Sequence, residues 1–279
     1  TSISAQVPDM TATLARALDK LATAPMLVRV HDRIRNEPVD VRVGPRELLT
    51  ILMADIADGN DFPVFPALLY TIERGDDSIL SWFVNRRYNE ISGMTDLMPI
   101  AMRCSAGASP WREAERVWYA GTSLLGNSMN ATFPEVCAGL DVDLGDEYRE
   151  PLVSDAEVLF LSGTLDVYTP PFQAERLRWG MPRATHIIVD FAGHEDMIPM
   201  QAVQDALVDY LSGKDVADRR IALPAPDFLS VDEARRPRPP PQGGGRACGW
   251  PPAAARGRGT SCGGCSARSA CSGTAASCT

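Results

Sequence analysis

The first half of the chain carries its apolar residues mainly at helical spacing. Between Met10 and Leu21 they recur every three or four positions, which predicts an amphipathic helix. Asp9 is the expected N-cap of this helix, and Pro25 marks its end. The same spacing, with Pro45 opening the first segment, predicts further helices over residues 45–56, 65–74, 77–88 and 110–119.

One short stretch between the first two helices alternates instead. Val39, Val41 and Val43 are separated by charged residues, as in a half-buried strand. The apolar run 26–30 precedes it at a distance that suits a hairpin, which would place His31 in the turn. The sequence therefore predicts a two-stranded hairpin within a mostly helical region.

Two apolar runs characterise the second half of the chain. Residues 158–163 and 186–191 are short runs typical of buried strands, and 172–179 between them is amphipathic. A last helix is predicted over 199–211, with Gly213 at its C-terminal end. Strand, helix, strand, helix is the repeating unit of α/β folds. Because such crossovers are right-handed, the two strands are expected to be parallel, with their carboxyl ends at one edge.

A polar residue with catalytic potential follows each of these strands. Asp166 comes after the first strand, and His194 comes after the second behind Gly193, which permits a tight turn. Open α/β sheets place their chemistry at this edge. We expect Asp166 to orient the imidazole of His194, which would act as a general base. The alternative for Asp166 is a turn residue that caps its own backbone. His31 and His186 are expected to be surface or structural residues.

Charge is distributed unevenly. The 279 residues include 27 basic and 36 acidic side chains, for a net charge of −9, and no acidic residue follows Glu233. The part of the chain up to Glu233 is therefore strongly acidic and matches phosphate backbones poorly. Nucleic-acid binding is not expected. No apolar run approaches the roughly 18 residues of a membrane span. The expected partner is a small molecule or short peptide, and the oligomeric state is left open.

The composition changes after Arg235. The segment 235–279 is rich in Gly, Pro, Ala, Ser and Arg, and Trp250 is its only large apolar residue. Such a segment cannot build a core and is predicted to be disordered. It also contains Cys248, Cys262, Cys265, Cys271 and Cys278, but their spacing matches no common zinc finger and no histidine accompanies them. We therefore predict no metal site and no cofactor.

The residues around Asp166 and His194 resemble a known family. Leu161-Ser162-Gly163-Thr164-Leu165-Asp166-x-x-Thr169-Pro170-Pro171, followed by Ala192-Gly193-His194, is similar to the last third of α/β-hydrolase fold serine hydrolases. The best match is the peptidase-like branch of proline iminopeptidases and tripeptidyl aminopeptidases. By this resemblance Asp166 would be the triad acid and His194 the triad base.

The resemblance extends over about residues 8–230 and implies an organisation. Residues 1–147 would be a mainly helical lid, 148–234 the C-terminal part of an α/β-hydrolase core, and 235–279 the disordered tail. Segment 143–155 resembles the link from lid to core. Cys104 and Cys137 look like the paired cysteines of the lid, and a bridge between them would favour an oxidising compartment.

The nucleophile of this family is the main departure. It belongs in G-x-S-x-G, upstream of the lid, and chain order is serine, acid, histidine. The serine-containing segments ahead of Asp166 do not fit: 121–126 has its second glycine one position too late, and Ser92-Gly93 and 105–107 also fail. The serine is therefore expected before Thr1. The chain would then be a C-terminal fragment, inactive and poorly soluble alone, with an unpaired sheet edge.

Three functions remain open from the sequence. The first is a serine-type acyl or peptide hydrolase, aminopeptidase-like, whose lid carboxylates Glu73, Asp76 and Asp77 could attract a free amino end. The alternative is that these carboxylates are ordinary solvated surface residues. The second keeps the fold but uses an aspartate nucleophile, as epoxide and haloalkane hydrolases do. The third is a non-catalytic binding or assembly module that keeps half the sheet.

Overall fold

The computed structural model describes most of the chain. The described residues are 2–32, 35–56, 59, 61–93, 97–128, 136–194, 196–217 and 219–236. All of them belong to one compact unit, residues 1–243, and a second unit comprises residues 244–279, which lie outside the described ranges. The predicted disorder of the tail beyond residue 236 also falls outside them. The division at residues 147 and 234 stays a prediction.

The first part of the unit is mostly helical. In chain order it contains α1 (Ile3–Gln6), α2 (Met10–Thr23), β1 (Met26–Asp32), β2 (Glu37–Val43), α3 (Pro45–Asp55), α4 (Phe65–Glu73), α5 (Leu80–Arg86), α6 (Tyr88–Ile91), α7 (Leu97–Ala106) and α8 (Pro110–Thr122). Short 3₁₀ turns follow at Cys137–Gly139 and Asp146–Arg149, and another precedes α4 at Phe62–Val64.

Strands and helices alternate in the second part. It contains β3 (Val158–Gly163), α9 (Pro171–Arg178), β4 (Ala184–Val189), α10 (Gln201–Leu211), β5 (Arg220–Ile221) and α11 (Val231–Ala234). Helices together with a parallel sheet fit the α/β class that the sequence predicts.

Local signals place α2 as predicted. The Asp9 carboxylate accepts a hydrogen bond from the backbone N–H of Ala12 at 2.9 Å, which satisfies one of the free donors of the first turn. The helix ends at Thr23, two residues before Pro25. Ala17 and Leu21 are fully buried on its inner face. The predicted N-cap and end of this helix are confirmed.

The hairpin also forms, but its strands are longer than the apolar pattern. β1 and β2 are antiparallel, with pairing from Met26↔Val43 to Asp32↔Glu37. His31 pairs with Pro38 inside the ladder, so its predicted place in the turn was wrong. The ladder extends beyond the last apolar residue because backbone pairing does not require an apolar side chain.

The structure differs from the predicted helices at two places. Residues 77–88 do not form one helix: α5 and α6 are separated at Arg87, whose φ of −105° and ψ of 22° are not helical. Helix α7 was not predicted. Its large apolar residues Leu97, Met98 and Met102 are exposed, and Cys104 is its only buried residue, so the helix lacks the clear apolar face that a sequence pattern would reveal.

A large apolar core joins the hairpin to the surrounding helices. Its fully buried side chains include Leu21, Val28, Leu48, Ile51, Leu68, Ile72 and Phe83. Ala234 of α11 belongs to the same cluster, and the Leu229 N–H donates to the Pro63 carbonyl at 3.0 Å. The last described segment therefore returns to pack against the helical part rather than against the sheet.

The sheet carries the predicted parallel pair and one further strand. β3 and β4 are parallel, from Val158↔Ala184 to Gly163↔Val189, which confirms the expected crossover. β5 pairs in parallel with the other edge of β4, so the sheet has three strands in the order β3-β4-β5 rather than the two predicted. Two residues are too few to show strand periodicity. Within the described ranges, no strand pairs with the outer edge of β3.

Helix α10 packs against the sheet. Ile187 and Val189 of β4 are buried against Val203 and Ala206 of α10. Gly213 follows that helix with a φ of +75°, the left-handed conformation predicted at its C-terminal end.

Cys104 and Cys137 form a disulfide, as the resemblance implies. In the described ranges, no helix is long and apolar enough to cross a membrane.

Candidate active site

The carboxylate of Asp166 is held by its own loop. Its Oδ1 accepts hydrogen bonds from the backbone N–H groups of Tyr168 at 2.9 Å and Thr169 at 2.8 Å. Its Oδ2 accepts the Thr169 hydroxyl at 2.7 Å. Asp166 is thus a turn residue that caps its own backbone, as in the alternative given for it from the sequence. The same bonds fix the orientation of the carboxylate, so the turn also prepares it to receive another donor.

That further donor is the imidazole of His194. Its Nδ1 lies 2.9 Å from Asp166 Oδ2 and 3.2 Å from the Thr169 hydroxyl oxygen. An Nδ1–H that donates to the carboxylate leaves the lone pair on Nε2 in the neutral ring. Nε2 hydrogen-bonds to no described residue, and the side chain is partly exposed. Nε2 is therefore the ring nitrogen without a partner among the described residues.

Opposing effects set the acidity of Asp166. Burial raises the pKa of this carboxyl group, but the hydrogen bonds from the Thr169 backbone and hydroxyl and from His194 act together in the other direction. The net result is a pKa below the usual aspartate value. The side chain is thus ionised at neutral pH, as required of a group that stabilises an imidazolium.

Close contact between the loops after β3 and β4 brings the two residues together. A Cβ on Gly163 would lie 2.2 Å from the Ala192 carbonyl oxygen, so only glycine fits there. The Leu165 N–H donates to that same carbonyl at 2.9 Å. Phe191 adopts a φ of +56°, rare for a bulky residue, and its N–H donates to the Thr164 hydroxyl at 2.8 Å. Parallel pairing therefore places both loops at one rim, and these contacts set the spacing.

A second network of similar composition lies nearby. The His186 ring bonds through Nε2 to the Ser162 hydroxyl at 2.9 Å and through Nδ1 to the Glu175 carboxylate. That hydrogen bond comes first among the causes that lower the pKa of Glu175. Ser162 and His186 are buried between the sheet and α9, so no substrate can reach the hydroxyl. The prediction that His186 is a satisfied structural residue is confirmed, but the network itself had no sequence signal.

The proposed amino-end carboxylates are mostly neutralised. Glu73 forms ion pairs with Arg16 and Arg74, and Asp76 pairs with Arg235. An acid already paired with arginine offers little net charge to an incoming ammonium group. The idea that these side chains attract a peptide's amino end therefore loses its support.

No serine of the described residues bonds to His194. Ser105 lies in α7 and donates to the Met102 carbonyl, and Ser123 caps the end of α8. One segment of the sequence matches G-x-S-x-G, namely Gly259-Thr260-Ser261-Cys262-Gly263. It lies outside the described ranges and follows His194 in the chain, contrary to the order of this fold. In the described ranges, no group of three or more His, Cys, Asp or Glu side chains could hold a metal ion.

A family model matches the part of the chain that contains Asp166 and His194. Residues 122–219 match an α/β-hydrolase family model described as TAP-like protein. Neither the curated proteins nor the solved structures gave a match. The matched segment is about a third of the chain and contains both Asp166 and His194. The segment that carries the candidate site is thus similar to α/β-hydrolases of the TAP-like type.

Proposed function

We propose that the protein is a serine-type hydrolase of acyl or peptide bonds, with His194 as general base and Asp166 as the acid that orients it. One observation carries the proposal: a buried, hydrogen-bonded carboxylate contacts Nδ1 of an imidazole whose Nε2 is open. A structural histidine would have both nitrogens satisfied, as His186 has. The similarity of residues 122–219 to TAP-like α/β-hydrolases supports the same reaction class.

The chemistry assigned to the pair is acyl transfer. Nε2 of His194 takes the proton of a serine hydroxyl while the serine oxygen attacks the substrate carbonyl carbon. The resulting imidazolium is stabilised by Asp166 and returns the proton to the leaving group, which breaks the scissile bond. Water then repeats the sequence on the acyl-enzyme and releases the acid. Asp166 stays ionised throughout, which its lowered pKa favours.

The nucleophile belongs to the proposal as well. By the chain order of the fold it precedes the lid, and short peptides with a free amino end are the proposed substrates by resemblance. The site does not by itself select the substrate. A serine nucleophile is favoured over an aspartate because the turn after β3 carries the Leu165-Asp166-x-x-Thr169-Pro170-Pro171 pattern of the peptidase-like branch.

The test uses the protein as its own cells make it. An antibody against this chain recovers the protein, which is then treated with a fluorophosphonate and mapped by mass spectrometry. We expect one labelled serine in a G-x-S-x-G segment, hydrolysis of peptidyl p-nitroanilides, and loss of both with His194→Ala. A label on Ser261 would refute the proposed chain order. Absence of both label and hydrolysis would refute the serine hydrolase and leave the aspartate-nucleophile hydrolase and the binding module.

A further inference from the structure

Tyr168 contacts two separate parts of the molecule. It lies in the turn that holds Asp166, two residues beyond the acid. Its hydroxyl donates to the Met53 carbonyl of α3 at 2.6 Å, across 115 positions of sequence. Its ring lies edge-on to the imidazole of His194, with centroids 5.4 Å apart and planes at 88°. One side chain therefore joins the helical part to the base.

The hydroxyl contact is significant because of where Met53 lies. The last carbonyls of an α-helix have no partner within the helix and need one elsewhere. Met53 is in the last turn of α3, where the Leu52 carbonyl accepts the Ile56 N–H and the Ala54 carbonyl accepts a guanidinium N–H of Arg87 at 3.1 Å. The Tyr168 hydroxyl donates to the Met53 carbonyl, which lies between these two. It thus acts as a C-terminal cap for α3.

The ring contact bears on the orientation of the base. Asp166 and Thr169 both contact Nδ1 of His194, but contacts at this one atom still allow the imidazole to tilt about it. The Tyr168 ring covers one side of the imidazole in the edge-to-face geometry that aromatic pairs favour. Tilting is therefore restricted on that side, and the direction of Nε2 depends on where the Tyr168 ring lies.

We propose that Tyr168 is a positioning residue that couples the C-terminal end of α3 to the orientation of His194. When the hydroxyl is bound to Met53, the ring is held against the imidazole. When the end of α3 moves away from the rim, the ring loses this anchor and the base loses its fixed direction. The structural part of the inference stands alone, and only its effect on hydrolysis rests on the proposed function.

Tyr168→Phe tests the coupling in the full chain. This variant keeps the ring and removes the hydroxyl, so it separates the anchor from the packing. We expect about fivefold faster amide hydrogen exchange near Ile56, from the loss of a single neutral hydrogen bond. We also expect the ring signals of His194 to shift or broaden in NMR spectra of ¹⁵N-histidine-labelled protein. In active enzyme, kcat should fall about tenfold with little change in KM.

Two further variants complete the design. Tyr148→Phe removes the hydroxyl of an exposed tyrosine, and this hydroxyl bonds to no described residue, so the change should affect neither readout. Tyr168→Leu removes both contacts and should change the His194 signals more than Tyr168→Phe does. Far-UV circular dichroism checks that each variant is folded.

The outcomes separate the two ideas. Faster exchange near Ile56 with unchanged His194 signals in Tyr168→Phe would refute the coupling, and so would unchanged exchange. If both readouts change but no form of the protein hydrolyses a substrate, the coupling stands and the proposed function fails. If hydrolysis is normal in Tyr168→Phe, the proposed function stands and the positioning role fails.

Discussion

Two histidine–carboxylate pairs occur within the same βαβ unit, and their exposures are inverted. In the Asp166–His194 pair the acid is 1% exposed and the base 38%. In the Glu175–His186 pair the base is 1% exposed and the acid 45%. Both histidines bond to their carboxylates through Nδ1, so composition and hydrogen bonding do not distinguish them. The two pairs differ in the hydrogen-bond partner of the Nε2 atom.

This difference separates a reactive arrangement from a structural one. Nε2 of His186 is bound to the buried Ser162 hydroxyl, so its proton-accepting capacity is used inside the protein. Nε2 of His194 has no described partner, and its side chain is 38% exposed. A buried acid with an exposed base suits catalysis because the acid stays oriented while substrate can reach the base. The inverted arrangement instead holds α9 to the sheet.

The largest effect is expected from Asp166→Asn in the active enzyme. An amide cannot hold the Nδ1–H tautomer, so the base is misoriented and kcat should fall about 10⁴-fold. Asp146→Asn, at an exposed carboxylate in the Asp146–Arg149 turn, is the matched control and should leave kcat unchanged. Equal rates for Asp166→Asn and wild type would remove the functional contrast between the two pairs.

Gly163→Ala should disrupt the rim pair while leaving the buried pair formed. The added methyl group would lie 2.2 Å from the Ala192 carbonyl oxygen, which forces the two loops apart. We expect about 3 kcal/mol of destabilisation in urea and loss of the contact between Asp166 and His194. Gly121→Ala, where a Cβ meets nothing within 4 Å, serves as the control. Unchanged His194 NMR signals would show that the close approach is not needed.

His186→Ala should affect stability rather than reaction. It leaves the buried Ser162 hydroxyl without its partner and opens a cavity, which costs about 2 kcal/mol. Urea denaturation measures this loss. At the same time, kcat of the folded enzyme should stay within about twofold of wild type, because His186 does not contact the rim pair. A large fall in kcat at full folding would mean that the buried network also serves the reaction.

The smallest effect concerns Glu175 and acid. Its pKa is lowered, first by the hydrogen bond from His186 and then by Arg178 despite burial, so its ionised form stabilises the fold. This contribution is present above the unfolded glutamate pKa of about 4.3 and is lost as pH falls through the lower folded value. Because Glu175 is nearly half exposed, solvent screening limits the contribution to about 0.5 kcal/mol.

Glu175→Gln measures that contribution directly. The variant should be slightly less stable than wild type at pH 7, and the gap should be smaller at pH 3, which is below the unfolded glutamate pKa of about 4.3. Urea midpoints at the two pH values give the comparison. A gap of the same size at pH 3 would mean that the hydrogen bond to His186, not the charge, provides the stabilisation.

Sequence patterns were sufficient wherever the signal is local. The Asp9 cap, the Pro45 start of α3 and the alternation of Val39, Val41 and Val43 each act over a few residues. They failed where tertiary contacts decide. β5 is two residues long and exists because β4 offers an edge, and the break at Arg87 coincides with ion pairs from its guanidinium to Asp55 and Glu90.

The candidate site shows the same limit. Asp166 and His194 could be predicted because right-handed crossovers place the ends of parallel strands at one edge. Tyr168 could not, because its contacts with Met53 and His194 lie 115 and 26 positions away and follow no repeat. The Glu175–His186–Ser162 network joins a helix to two strands and likewise has no local pattern.

The sequence predicts the order of the main elements, the parallel pairing of β3 with β4, and the position of Asp166 and His194 at one rim. These follow from periodicity and strand handedness, which act along the chain. Tertiary packing, in contrast, determines which histidine has an open Nε2. Exposure depends on what packs over a side chain, and that is set by residues far away in sequence.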